Sequence, residues 1–169
     1  MWPRQSAWRI SYECSHVEFE DAIAVLGKDL GIDLVVEDGV AEFVATPEDG
    51  GDRIEVSISA MDDGEQAALC ADLGEMPSEG ADALMLRMLE ANHLFDATGG
   101  ATLSVEDGRA KLERCVGIVA LQRGDGEKIV TTFIETARTW HGLVVGDDER
   151  GEGMAESSDV GLTFEILTP

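Results

Sequence analysis

The side chains equipped for chemistry are few and far apart. The 169 residues include three histidines, His16, His93 and His141, and three cysteines, Cys14, Cys70 and Cys115. A protein-bound transition metal draws ligands from closely spaced donors, as in CxxC or HExxH, because two donors on one element must reach one ion. Neither spacing occurs. Cys115 with His93 or His141 could serve as nucleophile and base by residue type, but nothing in the spacing brings them within hydrogen-bond reach. GxSxG, the P-loop and GxGxxG are missing from the chain, and with them the usual signals of a nucleophile elbow or a phosphate cradle. Asp62-Asp63-Gly64 opens like a calcium loop but lacks the later ligands. Gly99-Gly100 after Thr98 reads as a helix stop. The expectation is a protein that is not an enzyme and uses no metal or cofactor. An odd number of widely separated cysteines suits buried reduced thiols, not a disulfide framework.

Charge narrows the partners. Asp and Glu number 35 against 12 Lys and Arg, a formal net charge of −23. A surface this negative repels nucleic-acid phosphates and anionic lipid. It keeps a protein with apolar patches in solution, and it attracts basic segments of a partner; both roles are open. No apolar run approaches the about 20 residues of a membrane helix, and the first residues, MWPRQSAWRISYECSH, contain no continuous apolar signal segment. A cytoplasmic location follows as the expectation. The length suits one domain.

With catalysis set aside, the apolar faces become the chemistry. Ser15 with Glu18 three residues on forms a capping box, and Cys14 and Phe19 are placed as a hydrophobic staple. Phe19, Ala22, Ile23, Leu26 and Leu30 then repeat at helical spacing before Gly31. Period-two patterning follows. Asp33 to Glu37 leads into the Asp38-Gly39 turn, Ala41, Phe43 and Ala45 alternate, and residues 47–52 are rich in turn formers. Ile54, Val56 and Ile58 alternate with Arg53, Glu55, Ser57 and Ser59, and Gln66 to Leu73 follows another turn, together an antiparallel meander.

A second helix, Glu79 to Phe95, carries Ala81, Leu84, Met85, Met88, Leu89 and Phe95 on one broad face interrupted by Asn92, with Ala83, Leu86 and Leu94 on another. A helix apolar on two sides needs two packing partners. One is the protein's own sheet. The other is the same helix of a second copy across a two-fold axis, or the interior of a single domain around a central helix.

Asp107-Gly108 is a strong two-residue hairpin signal. It places Leu103 opposite Leu112 and Val105 opposite Ala110, with Thr102 opposite Glu113 and Ser104 opposite Lys111. A third helix, Glu127 to Val144, buries Ile129, Val130, Phe133, Ile134, Ala137 and Trp140. Residues 146–159 are acidic and Gly/Ser-rich, the composition of a mobile tail. Val160 to Leu167 alternates again, as an added edge strand or a disordered end.

Leu86, Leu89, Glu90, Ala91, Asn92, Leu94 and Phe95, then Thr98-Gly99-Gly100-Ala101-Thr102-Leu103 and the Asp107-Gly108 hairpin, form a stretch that resembles the class I type III secretion chaperones of the Tir-chaperone family. Residues 70–77 are similar to that family's strand end before its dimer helix, and the helix with Phe133 and Trp140 is similar to its last helix. The likeness runs from Ser15 to Val144. It implies an α+β fold, an antiparallel sheet with three helices in the order α-β-β-β-α-β-β-α, with 1–14 as an N-terminal extension and 145–169 as an acidic, partly mobile tail. It also implies a homodimer through the second helix, for which Leu84, Met85, Met88, Leu89 and Asn92 are the candidates, Asn92 as the residue that fixes register. Each subunit would hold an extended segment near the N-terminus of a secreted effector, with Phe19, Ile23, Leu26, Leu103, Val105 and Leu112 as candidate client-binding residues, through apolar grooves and strand addition at a free sheet edge. Such chaperones hydrolyse nothing and need no cofactor. The second expectation, prompted by the extra tail, is a regulatory or adaptor protein on the same fold that binds a non-secreted partner.

Overall fold

Turn chemistry sets the sheet. A computed structural model describes residues 9–48, 50–61, 64–146 and 161–167. Its strands are β1 (Val36–Glu37), β2 (Val40–Pro47), β3 (Ile54–Ala60), β4 (Gln66–Glu75), β5 (Thr102–Glu106), β6 (Arg109–Gly117) and β7 (Leu162–Ile166). Asp38-Gly39 and Asp107-Gly108 each hold two successive positive φ angles, 51° and 81° in the first turn and 51° and 78° in the second. That is the type I′ geometry whose twist matches paired strands. All pairings are antiparallel. The β5–β6 register places Leu103 opposite Leu112, Val105 opposite Ala110, Thr102 opposite Glu113 and Ser104 opposite Lys111, as the hairpin signal predicts.

The order across the sheet is β1-β2-β3-β4-β6-β5, with β7 also paired to β2. Between β4 and β5 the chain leaves the sheet through α2 (Ala81–Leu94) and a short 3-10 turn, Asp96–Thr98. Three further helices, α1 (Arg9–Leu30), α3 (Ile118–Gln122) and α4 (Gly126–Val145), pack together, with α4 across β4. Phe19, Ile23 and Leu26 of α1 meet Leu121 of α3, Phe133 and Ile134 of α4, and Phe43, Ile54, Ile58, Leu69, Leu73 and Leu112 of the strands in one core. Gly126 permits the close approach: a Cβ there would stand 3.0 Å from both the Leu121 carbonyl oxygen and a Leu26 methyl.

One boundary and one element differ from the sequence reading, and one open alternative is decided. Helix α1 is already helical at Arg9, so Ser15 is not its cap, and the limit at residue 15 cuts through a helix. A capping box is a local preference of about 1 kcal/mol, and Ser, His and Glu fit a helix interior once the chain continues upstream. The five-residue α3 is additional to the three helices expected; it is too short to display a helical period. Within the segment from Val160 to Leu167, Leu162–Ile166 forms the edge strand, β7. Residues 1–8 and 147–160, where the rest of the extension and the mobile tail were expected, lie outside the described residues.

Candidate protein-binding surfaces

Helix α2 lies beside the outer border of β5. It begins after Gly80 (φ 79°) and ends at Phe95, whose own φ of 54° turns the chain while its N–H reaches the Ala91 carbonyl at 3.0 Å. Met88 (3% exposed) and Ala91 are buried, and Leu84 is half-buried against the core. Leu89 (65%), Leu86 (59%) and Met85 (38%) face outward. At about 100° per residue these three fall within about 100° of one another, one stripe beside the buried face. Phe95 (53%), just past the helix end, and Val105 (43%), on the adjoining β5, are large and exposed as well.

Asn92 holds the helix in place. Its amide nitrogen donates to the Leu103 carbonyl at 2.9 Å, and its amide oxygen accepts from the Leu103 N–H at 2.8 Å. One side chain thus pairs with β5 as a neighbouring strand would, closing part of an edge that would otherwise offer free backbone groups. One of its two amide N–H groups and its amide oxygen are thus engaged within the chain. Met88, expected at the seam, is corrected to core of its own subunit. Met85 and Leu89 stand on the outer face, and Leu84 is half-buried at its border. Leu86 and Phe95 were not among the expected seam residues. Helical spacing places Leu86 on the opposite side, and Phe95 lies exposed past the helix end in a left-handed backbone conformation.

The turn that follows α2 anchors this unit to α4. The buried Thr98 hydroxyl donates to the Phe95 carbonyl at 3.3 Å, and the Gly100 N–H reaches the same oxygen at 3.1 Å. The Trp140 indole N–H donates to the Ala97 carbonyl at 3.1 Å. Between β6 and β4, Arg109 grips Asp72 with two hydrogen bonds of 2.7 and 2.9 Å, and Asp72 also accepts the Gly74 N–H at 2.8 Å across a bulge in β4. The Arg109 guanidinium, aided by that N–H, holds the Asp72 carboxyl below its ordinary range.

The expected client-binding set changes most. Phe19, Ile23, Leu26 and Leu112 are fully buried and Leu103 nearly so. They are the mutual contacts of α1, α4 and the sheet and offer no surface to a partner, so that assignment is corrected. Of the six, Val105 is exposed. An apolar stripe shows which residues share a face; it carries no information about whether the protein's own elements cover that face.

The other border of the sheet is β2. Along the side away from β3, Val40 and Ala41 pair with β1, and Phe43 to Pro47 pair with β7. Phe164 of β7 lies opposite Ala45, and its ring meets Phe43 edge-on at 6.0 Å. Leu162 and Phe164 are half-buried against the core, whereas Thr163, Glu165 and Ile166 are exposed. The Thr163 hydroxyl donates to the Thr46 carbonyl at 3.0 Å, and Glu165 forms an ion pair with Arg53 at 3.4 Å.

The buried thiols expected from the sequence are corrected at the described cysteines, where Cys70 is only half-buried. His141 Nδ1 lies 2.9 Å from the Leu73 carbonyl oxygen and Nε2 lies 3.7 Å from an Asp52 carboxylate oxygen, linking α4 to the sheet. Burial, with Glu113 nearby, pushes the Cys70 thiol up, while Cys115 is exposed. Among the described residues no group of three or more His, Cys, Asp or Glu converges on a point that could hold a metal ion. No described helix is long and apolar enough to cross a membrane.

Comparison with known proteins places this geometry. The family model of the Tir chaperone protein (CesT) family matches residues 21–141. No curated protein matches the chain in sequence. Among solved structures, a chain of the HopA1-SchA chaperone–effector complex is similar with a TM-score of 0.58 at 15% identity, over 76% of this chain and 96% of that one. A chain of the ExsC-ExsE complex gives 0.56 at 14% identity, over 80% and 96%. A chain of the heterodimeric ExoU-SpcU complex from the type III secretion system of Pseudomonas aeruginosa gives 0.50 at 17%, over 73% and 94%. At these identities the likeness is one of fold.

Proposed function

This chain belongs to the Tir chaperone protein (CesT) family, and from that premise we propose that it is a cytoplasmic type III secretion chaperone. It forms a homodimer through α2 and binds the N-terminal chaperone-binding segment of a secreted effector, which it keeps soluble and competent for secretion. The observation that carries this reading is the outward stripe of Met85, Leu86 and Leu89, with Phe95 beside it, on a helix whose other face is already used. Burying a fully exposed side chain of this kind stabilises by about 1.5–3 kcal/mol; these four are 38% to 65% exposed, so each contributes about half of that, and a two-fold axis counts each twice. That total is of the same order as an association penalty of about 4–15 kcal/mol. The net charge of −23 favours client segments carrying basic residues, whose approach it accelerates at low salt. Chains of similar fold come from complexes described as chaperone–effector and as part of a type III secretion system, which supports the same reading.

The test is co-expression with the N-terminal segment of a secreted protein encoded beside this chain. The segment is expected to be insoluble alone and to co-purify with this chain at a fixed ratio. A segment equally soluble with and without it would overturn the proposal. A second reading, an adaptor or regulator on the same fold with a non-secreted partner, is favoured by one observation: β7 fills a sheet edge that a client strand would need.

A further inference from the structure

We infer that the β2 edge is a strand-acceptor site, and that β7 is its resident, exchangeable occupant, released when an extended segment of a bound client takes its place. The inference rests on the client-binding reading above for the identity of the displacing partner; the acceptor site itself rests on the geometry.

The edge is built to receive a strand. Without β7, the outward backbone groups of β2 between Phe43 and Pro47 would be unpaired, and Phe43 and Ala45 would lose the cover of Phe164. An edge of unpaired N–H and C=O groups next to apolar side chains is a template for another extended segment. Pro47, which has no N–H to give, sits at the last pair of the ladder, as proline does on edge strands. The site therefore reads about five residues running antiparallel to β2.

The present occupant defines what fits. Apolar side chains are wanted where Leu162 and Phe164 lie, against the core. A hydrogen-bonding residue suits the Thr163 position beside the Thr46 carbonyl. An acidic residue suits the Glu165 position, where Arg53 answers it. The acceptor thus selects an apolar–polar–apolar–acidic pattern, within a surface that is otherwise strongly negative.

The occupant is also built to leave. It is five residues long, and three of them are exposed. Its pairing is to a single strand at the sheet border, whereas β4 is paired on both sides, to β3 and β6. Short border strands with little buried apolar area open at far lower free energy than central ones. What retains β7 is that it belongs to the same chain as β2, and intramolecular pairing proceeds at an effective concentration on the order of millimolar. A client held elsewhere on the protein presents its own segment at a comparable effective concentration, so exchange needs no large difference in intrinsic affinity.

The experiment uses the full chain and, as probe, a fluorescein-labelled peptide of its own residues 160–168, VGLTFEILT, followed by anisotropy. In Phe164→Asp the resident strand loses its apolar anchor, and the peptide is expected to bind at least ten-fold more tightly than to wild type. Equal binding to the two proteins, or binding to neither, overturns the inference. Hydrogen exchange on unaltered wild type gives an independent reading should the variant fold poorly. Amides of Thr163 to Ile166 are expected to exchange at least a hundred-fold faster than those of β4, and exchange at the β4 rate would make β7 a permanent part of the sheet. Because the peptide comes from this chain, the result is separate from the client question. Peptide binding without effector co-purification would remove the chaperone reading alone, and the reverse would remove exchange alone.

Discussion

The two borders of the sheet are closed in different ways. At the β5 border, the side chain of Asn92 takes both backbone groups of Leu103, and α2 lies alongside with Met88 and Ala91 inserted behind it. The residues involved are 11 apart in sequence, and the closure is sealed by the core. At the β2 border, closure comes from a strand more than a hundred residues away, through backbone pairing and two half-buried side chains. A border closed by a buried helix can safely display an apolar outer face, because removing a partner from that face leaves the fold intact. A border closed by a short strand has its apolar side chains hidden until the strand departs. On the two proposals made above, one end of the sheet serves a constant partner and the other a changing one.

Several substitutions would break or sharpen that contrast. The largest effect is expected at neighbouring positions on α2. Met88→Ala should lower stability by about 2–5 kcal/mol in denaturant unfolding at fixed protein concentration. Leu89→Glu should instead halve the mass found by light scattering while leaving the circular dichroism of the subunit unchanged. A monomeric wild type would remove the seam from α2. Next, Asn92→Leu should lower stability by about 1–3 kcal/mol, since it strips partners from the part-buried backbone of Leu103; a loss confined to dimer mass with no change in stability would return Asn92 to the seam.

Two smaller effects are electrostatic. Because its partners hold the Asp72 carboxyl below its ordinary range, its contribution is present above the unfolded value of about 3.9 and is lost as pH falls through the lower folded value. The melting temperatures of wild type and Asp72→Asn should therefore differ near neutral pH and converge in acid below pH about 4. A constant difference across that range would place the loss in packing. The smallest effect is at Arg53→Ala, whose ion pair with Glu165 is solvent-exposed. Global stability should change by less than about 1 kcal/mol, and β7 amides should exchange slightly faster, more visibly at low salt.

Much of the fold is legible in the residues. Asp107-Gly108 accounts for the hairpin and every pair of its register, and α4 runs Gly126–Val145 with Val130, Phe133, Ile134, Ala137 and Trp140 buried, on the stripe that its spacing describes. The binding surfaces were far less legible. Phe19, Ile23 and Leu26 have the pattern of an apolar groove and the pattern of core alike, and only the presence of α3 and α4 against them decides for core. Leu86 and Met88 are both apolar and two residues apart, yet one is exposed and the other buried. The helix stop expected at Thr98-Gly99-Gly100 falls earlier, at the left-handed Phe95; that the neighbouring Ala97 carbonyl seats Trp140 has no sequence signal.

The amino-acid sequence by itself determined the local geometry of this protein: turn types from Asp-Gly pairs, strand alternation, helical stripes, and a charge that disfavours phosphate-bearing partners. These follow from backbone sterics, from side-chain periods of 2 and 3.6 residues, and from counting charges, all of which operate over a few residues or over none in particular. Only the tertiary structure decided which stripe is covered, that the Asn92 amide answers the β5 backbone, and that Leu162–Ile166 completes the edge of β2. Those outcomes depend on which surfaces meet when distant segments pack together, and period and composition are the same for an apolar face that finds a partner within its own chain and for one that must find it elsewhere.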